Sequence, residues 1–169
     1  VMVNMGLTQG MQPIAGYNYG AMKLDRLMKV LNLAVVAGTC ITTVGFLVAE
    51  FIPEECARLF TTDEQLIALS VNGLRIMMAA FVFVGSQMVI ANFFQSIGKA
   101  KVSMFLSLSR QMIFLLPMLL LLPHFMGVDG IWWAMPISDM IAECVAVALM
   151  AAYMKKFKEQ HKMIANGEQ

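Results

Sequence analysis

The sequence predicts an all-α fold, a polytopic membrane helix bundle, and three observations carry the prediction. Four stretches stay apolar over the roughly 20 residues needed to cross a hydrocarbon core. The composition, 59% hydrophobic and 14% charged over 169 residues, offers more apolar surface than a soluble core of this size could hide, and mean hydropathy is +0.71. Basic residues gather in alternate connections, as they do in loops that stay in the cytoplasm. The net charge of +1 is the small remainder of 12 basic and 11 acidic residues. It therefore says less about partners than their positions do.

The first segment, 1–20, is rich in Gly, Gln and Asn and would insert poorly alone. It is expected to be the end of a truncated helix packed among others. Because the chain opens on Val1 with no basic run ahead of the apolar residues, we expect a piece of a longer protein and no signal peptide. Four clear spans follow at 27–52, 66–95, 102–122 and 131–153. Together with the first segment they make a transmembrane unit over 1–154, followed by a polar cytoplasmic tail over 155–169 that is expected to be a short, fraying surface helix.

The connections set the topology. Lys23, Arg26 and Lys29 follow the first segment, Lys99 and Lys101 follow the third, and Lys155, Lys156, Lys158 and Lys162 follow the last. The other two connections carry only Arg58 among Glu54, Glu55, Asp63, Glu64 and Asp129. This bias predicts an integral membrane protein with its C-terminus inside. Trp132 and Trp133 then fall at the outer interface and Tyr153 at the inner one. Cys40, Cys56 and Cys144 show no paired or metal-like spacing and read as packing residues.

Charged groups inside a span are costly unless they face protein or water, so each is a candidate for function. Arg75 and Arg110 are expected to face the bundle interior, and Glu50 to reach water at an outer helix end. Asp139 and Glu143, four residues apart, project from one helical face. They can share a proton or pair with an arginine, and the competing reading is a structural salt bridge such as Asp139 with Arg110. On the long central helix Arg75 and Ser86, eleven residues apart, are expected to be nearly eclipsed, with Asn92 and Gln95 on a different side. Ser103, Ser107 and Gln111 form a stripe leading to a kink expected at Pro117. Among the 17 methionines, Met77, Met78, Met88, Met112 and Met118 could supply a deformable lining, although most methionines simply fill gaps.

The first segment reads GLTQGMQPIAGYNYGA. Gly6 and Gly10, then Gly16 and Gly20, are spaced for close helix approach. Pro13 interrupts the backbone ladder where Gln9, Gln12 and Asn18 could repair it. This wording resembles the eighth helix of the multidrug and toxic compound extrusion (MATE) family, in which Gln-Pro-x-x-Gly-Tyr-Asn-Tyr-Gly precedes a basic cytoplasmic loop. LFTTDEQLI, FFQSIGKAK, LSLSRQMIFLLPMLLLLP and GVDGIWWAMPISD follow in order and look like the ninth to twelfth helices of the same family.

The resemblance implies part of the C-terminal lobe of a twelve-helix, two-lobed transporter, lacking its seventh helix and its N-terminal lobe. It further implies cation-coupled (H+ or Na+) antiport that exports organic, often cationic drugs or metabolites by alternating access. Some branches place an acidic coupling residue in the tenth helix. The matching stretch 66–95 has none, which points the proton site towards the absent lobe.

On that reading Gln9, Gln12, Pro13, Tyr17, Asn18, Arg75, Gln87, Asn92, Gln95 and Arg110 lie near the cavity or its gates, and Asp139 and Glu143 are the candidate proton or ion pair. Expected partners are membrane lipid, small organic substrates and the N-terminal lobe. No cofactor, metal or nucleic acid is expected. A lipid-linked saccharide flippase would need more basic residues than Arg75 and Arg110, and a non-transporting scaffold would gain little from intramembrane polar groups. His124 and His161 lie in a loop and the tail and no catalytic motif recurs, so no enzyme is expected.

Overall fold

The structure, a computed structural model, describes residues 2–167. The side chains of Cys56, Lys158, Gln160 and residues 161–169 lie outside that description, and with them the sequence readings on Cys56, Lys158, His161 and Lys162. All described elements are helical: α1 (Met2–Gly20), α2 (Leu24–Phe51), α3 (Pro53–Arg58), α4 (Glu64–Met78), α5 (Phe81–Ser96), α6 (Ala100–Leu108), a π segment (Ser109–Leu115), α7 (Leu116–Met126) and α8 (Val128–Gly167). By length and apolar content, α2, the α6–α7 stretch and α8 can each cross a membrane, and α4 with α5 forms a fourth, bent crossing. Their apolar faces point outward: only 11% of the most apolar window of the α6–α7 stretch is buried. Lipid is the solvent that such a surface requires.

Local chemistry explains where the helices begin and end. Asp63 caps α4 by accepting the Gln65 N–H at 3.0 Å, and Glu64 complements the positive end of the helix dipole. At the end of α5 the Lys99 N–H reaches the Phe94 carbonyl and the Gly98 N–H reaches Gln95, a Schellman closure. Gly98 serves that turn because its φ is +77°.

Helix α5 lies at the centre, touching α1, α2, α6 and α8. Its tightest neighbour is α2, where a Cβ on Gly85 would overlap the carbonyl of Gly38. The Thr42 hydroxyl sits 3.1 Å from the Val82 carbonyl and ties the two helices together. Asn4 of α1 is fully buried against this crossing, donating to the Gly85 carbonyl at 3.4 Å. The apolar core follows towards the end where α1 and α5 finish. It joins Met11, Leu27, Leu31, Phe93, Phe94 and Ile97 to Met154 and Phe157 of α8.

Several sequence expectations change. The stretch 66–95 is not one straight helix, because α4 and α5 meet at 46°. The Ala79 N–H takes the Ile76 carbonyl and the Phe83 N–H that of Ala80, so the backbone tightens into i→i+3 bonding there. The eclipsing of Arg75 with Ser86 is lost with that break. Of the four glycines in α1, only Gly16 meets a neighbour, the Ser96 carbonyl at 3.0 Å, while Gly6, Gly10 and Gly20 have no described atom within 4 Å of an added Cβ. Pro13 sits inside an unbroken α1. Helix α8 runs past 153 without a break, because Met154 and Phe157 are buried in the core. Tyr19 stacks on Phe157 at 5.1 Å and its hydroxyl lies 3.2 Å from that of Tyr153.

Candidate functional site

Three elements bring polar side chains together midway along the bundle. From α5 come Ser86 and Gln87, both buried, and Asn92 one to two turns later. The π segment contributes Arg110 and Gln111, and α8 contributes Asp139 and Glu143. The π segment directly precedes Pro117, which has no N–H to give to a normal i→i−4 ladder. Widening the turns there re-aims the side chains they carry, a device frequent at functional positions.

Arg110 Nε donates to Asp139 Oδ1 at 2.8 Å, and the two side chains are 34% and 13% exposed. This is a charge-assisted bond joining the π segment to α8. One turn further along α8, Glu143 Oε1 lies 2.6 Å from the Ser86 hydroxyl, which also lies 2.9 Å from the Phe83 carbonyl. Glu143 Oε2 is buried without a hydrogen-bond partner among the described residues. The two carboxylates thus share a face but take different partners.

Beside this cluster is a cavity of about 180 Å³, lined by Gln87, Met88, Asn92, Ser107, Arg110 and Gln111, with Ala91 and Leu106 completing it. Gln87 is 4% exposed and its Oε1 has no partner among the described residues. An unpaired buried acceptor costs free energy unless water or a ligand reaches it. Gln12 of α1 closes on the same region by donating to Asn92 Oδ1 at 3.0 Å.

The structure therefore gathers Gln12, Gln87, Asn92 and Arg110, with Asp139 bonded to Arg110 and Glu143 one turn away on α8. It separates the others. Gln9, Pro13 and Tyr17 lie on the exposed side of α1, with Lys23 Nζ 6.0 Å from the Tyr17 ring. Asn18 is buried and bonds back to the Ile14 carbonyl at 2.8 Å. Gln95 is exposed at the end of α5.

Arg75 requires a correction. It does not face the interior of this chain but stands half exposed beside Glu50, with Nε 3.9 Å from Oε1. Helix α4 buries only Gly73, against Trp132, so it has little interior face to offer Arg75. Glu50 correspondingly has a partner rather than reaching only for water.

Ser107 and Gln111 were legible as a stripe but were not assigned to the cavity. The Gly38–Gly85 crossing and Asn4 carried weaker signals, a single small residue in mid-span and one amide in a Gly-rich helix.

Comparison with known proteins agrees with the geometry. The MatE family model matches residues 1–121. The chain is 24% identical over 156 residues to multidrug export protein MepA of Staphylococcus haemolyticus (strain JCSC1435), covering 90% of this chain and 33% of that protein. MepA of Staphylococcus aureus (strain N315) is 23% identical over 153 residues. Among solved structures, the MATE multidrug transporter DinF-BH in complex with R6G is 40% identical with a TM-score of 0.83, over 88% of this chain and 33% of that one. An inward-facing multidrug resistance MATE family transporter of the MOP superfamily shares the fold, with a TM-score of 0.87 at 20% identity, over 92% of this chain and 37% of that one. The chain thus spans about a third of the length of the relatives it matches. With the family model covering most of its length and the same helices recurring in solved transporters, the chain belongs to the MATE family.

Proposed function

We propose that this chain forms part of the second lobe of a cation-coupled antiporter that exports organic, often cationic drugs or metabolites by alternating access. The coupling ion is H+ or Na+, the missing partner is the N-terminal lobe, and the C-terminus lies in the cytoplasm of a plasma (inner) membrane. The observation that carries this reading is the amide- and arginine-lined cavity midway along the bundle. Buried polar groups at that depth are retained where they meet water or a solute. Met88 and Leu106 in the same wall add the deformable apolar contact that varied organic molecules need. The similarity to proteins named for multidrug export supports the substrate class.

A lipid-linked saccharide flippase is less well supported. It would need free cations to meet a pyrophosphate, and Arg75 is beside Glu50 while Arg110 is bonded to Asp139.

The test is accumulation of R6G in cells lacking their own drug pumps and expressing the full-length transporter that carries this chain. Accumulation should fall below that of control cells and recover when the ion gradients are collapsed. Control-level accumulation with the protein present in the membrane would contradict the reading.

A further inference from the structure

We propose that Glu143 is a proton-binding site of this lobe, its carboxyl group hydrogen-bonded to the Ser86 hydroxyl, which in turn bonds the Phe83 carbonyl. The proposal rests on the antiporter reading and adds to it a named site on α8, away from the stretch 66–95, which has no acidic residue.

Ser86 Oγ has two oxygens within bonding distance, Glu143 Oε1 at 2.6 Å and the Phe83 carbonyl at 2.9 Å. A serine hydroxyl has one hydrogen to give, and neither a carbonyl nor an ionised carboxylate has any. Two full, unshared hydrogen bonds form together when Glu143 carries a proton and donates it to Ser86, leaving the serine hydrogen for Phe83; with the carboxylate ionised, one hydrogen would be divided between two acceptors. A neutral carboxyl also explains the partnerless Oε2, because an unpaired carbonyl oxygen costs far less to bury than half of an unpaired charge.

The neighbourhood supplies no cation to hold the ionised form. Helix α5, which carries Ser86, has no ionisable side chain. Arg110 of the π segment is taken by Asp139, and Arg75 of α4 is beside Glu50. The remaining ionisable groups on the elements packed against α8 are Glu64 on α4, Lys101 on α6 and His124 on α7, each in the first or last turn of its helix. On α8 itself, Asp129, Cys144, Tyr153, Lys155, Lys156 and Glu159 complete the set among the described side chains. Among the described residues no basic group lies within 4.0 Å of the Glu143 carboxylate.

The step balances simply. When the cavity side opens, the Glu143 O–H bond breaks and its proton leaves to water. The Ser86 hydrogen turns from Phe83 to the carboxylate, which then accepts it. Uptake reverses both moves, and the change is confined to one hydroxyl rotor joining α5 to α8. Such a junction couples proton occupancy to the fit between two helices.

The test uses the full-length transporter in lipid membranes at neutral pH, with two readouts. Infrared difference spectra should show the carbonyl stretch of a protonated carboxylic acid that disappears in Glu143→Gln. That variant keeps an amide donor for Ser86 but cannot release a proton, so substrate-driven proton movement and export should fall at least tenfold while R6G still binds. Absence of the acid band in the wild type, or full proton-coupled export by Glu143→Gln, would overturn the proposal.

If Glu143→Gln fails to reach the membrane, Ser86→Ala serves in its place. The acid band should shift to the frequency of a carboxyl without that partner, and an unshifted band would equally overturn the proposal. A wild type that exports nothing yet shows the band would fail the antiporter reading while leaving the protonated carboxyl standing.

Discussion

Arg110 carries two roles that point mutation separates. It lines the cavity and it neutralises Asp139. Arg110→Ala leaves a mostly buried carboxylate unpaired, and we expect a cost on the order of 2 kcal/mol, below that of a fully buried pair because the guanidinium is partly exposed. Arg110→Ala with Asp139→Ala removes both charges and should recover most of the folded yield. Export should stay impaired in both, as scored by R6G accumulation against membrane abundance. Recovery of export together with abundance in the double variant would make the arginine purely structural.

At this scale the sequence reads well where the chemistry is strong. An intramembrane Arg and an Asp on a neighbouring span can be paired from cost alone. Arg75 misleads because its depth in a span was judged on a straight helix, and the bend after Met78 takes α4 away from the interior. Gln9 and Tyr17 were grouped with Gln12 by motif, yet helical phase puts only Gln12 against Asn92.

Among the elements, the crossing of α2 and α5 bears most on the fold. Gly85→Ala forces a methyl into the Gly38 carbonyl, and overpacking of this kind costs about 1–3 kcal/mol. Thermal unfolding of the full-length transporter in detergent should show a clear loss for Gly85→Ala and almost none for Leu120→Ala, whose side chain is exposed on α7. Equal effects at both positions would sink this assignment of the close contact.

The helices themselves were legible because long apolar runs need no partner to be recognised, and Pro117 announced an irregular turn. What formed there is a π segment rather than a simple kink. The α4–α5 bend left no mark in the sequence, since neither proline nor glycine lies at Ala79–Ala80. For α8, the polar composition after 153 masked Met154 and Phe157, two apolar residues whose burial extends the helix.

On the scale of the whole molecule, the described helices leave one side of α1 open, where Gly6, Gln9, Gly10, Pro13 and Tyr17 share an exposed stripe. The chain matches about a third of each relative's length, and we propose that this stripe faces the rest of the transporter. The membrane class followed from composition and loop charge alone. The family followed from the wording of α1 and four later stretches. The cavity did not, because its walls come from α5, α6 and the π segment, and their mutual phase depends on the bend and the widened turns.

The central claim is that this cavity meets an aqueous passage, and thiol accessibility tests it most directly. In the full-length transporter with Cys40, Cys56 and Cys144 replaced, Ser107→Cys should react with a small, water-soluble thiol reagent, and bound R6G should slow the reaction severalfold. Leu120→Cys, on the exposed apolar side of α7, should stay unreactive under the same conditions. Reaction at Leu120→Cys but not at Ser107→Cys, or a rate at Ser107→Cys indifferent to R6G, would contradict the account.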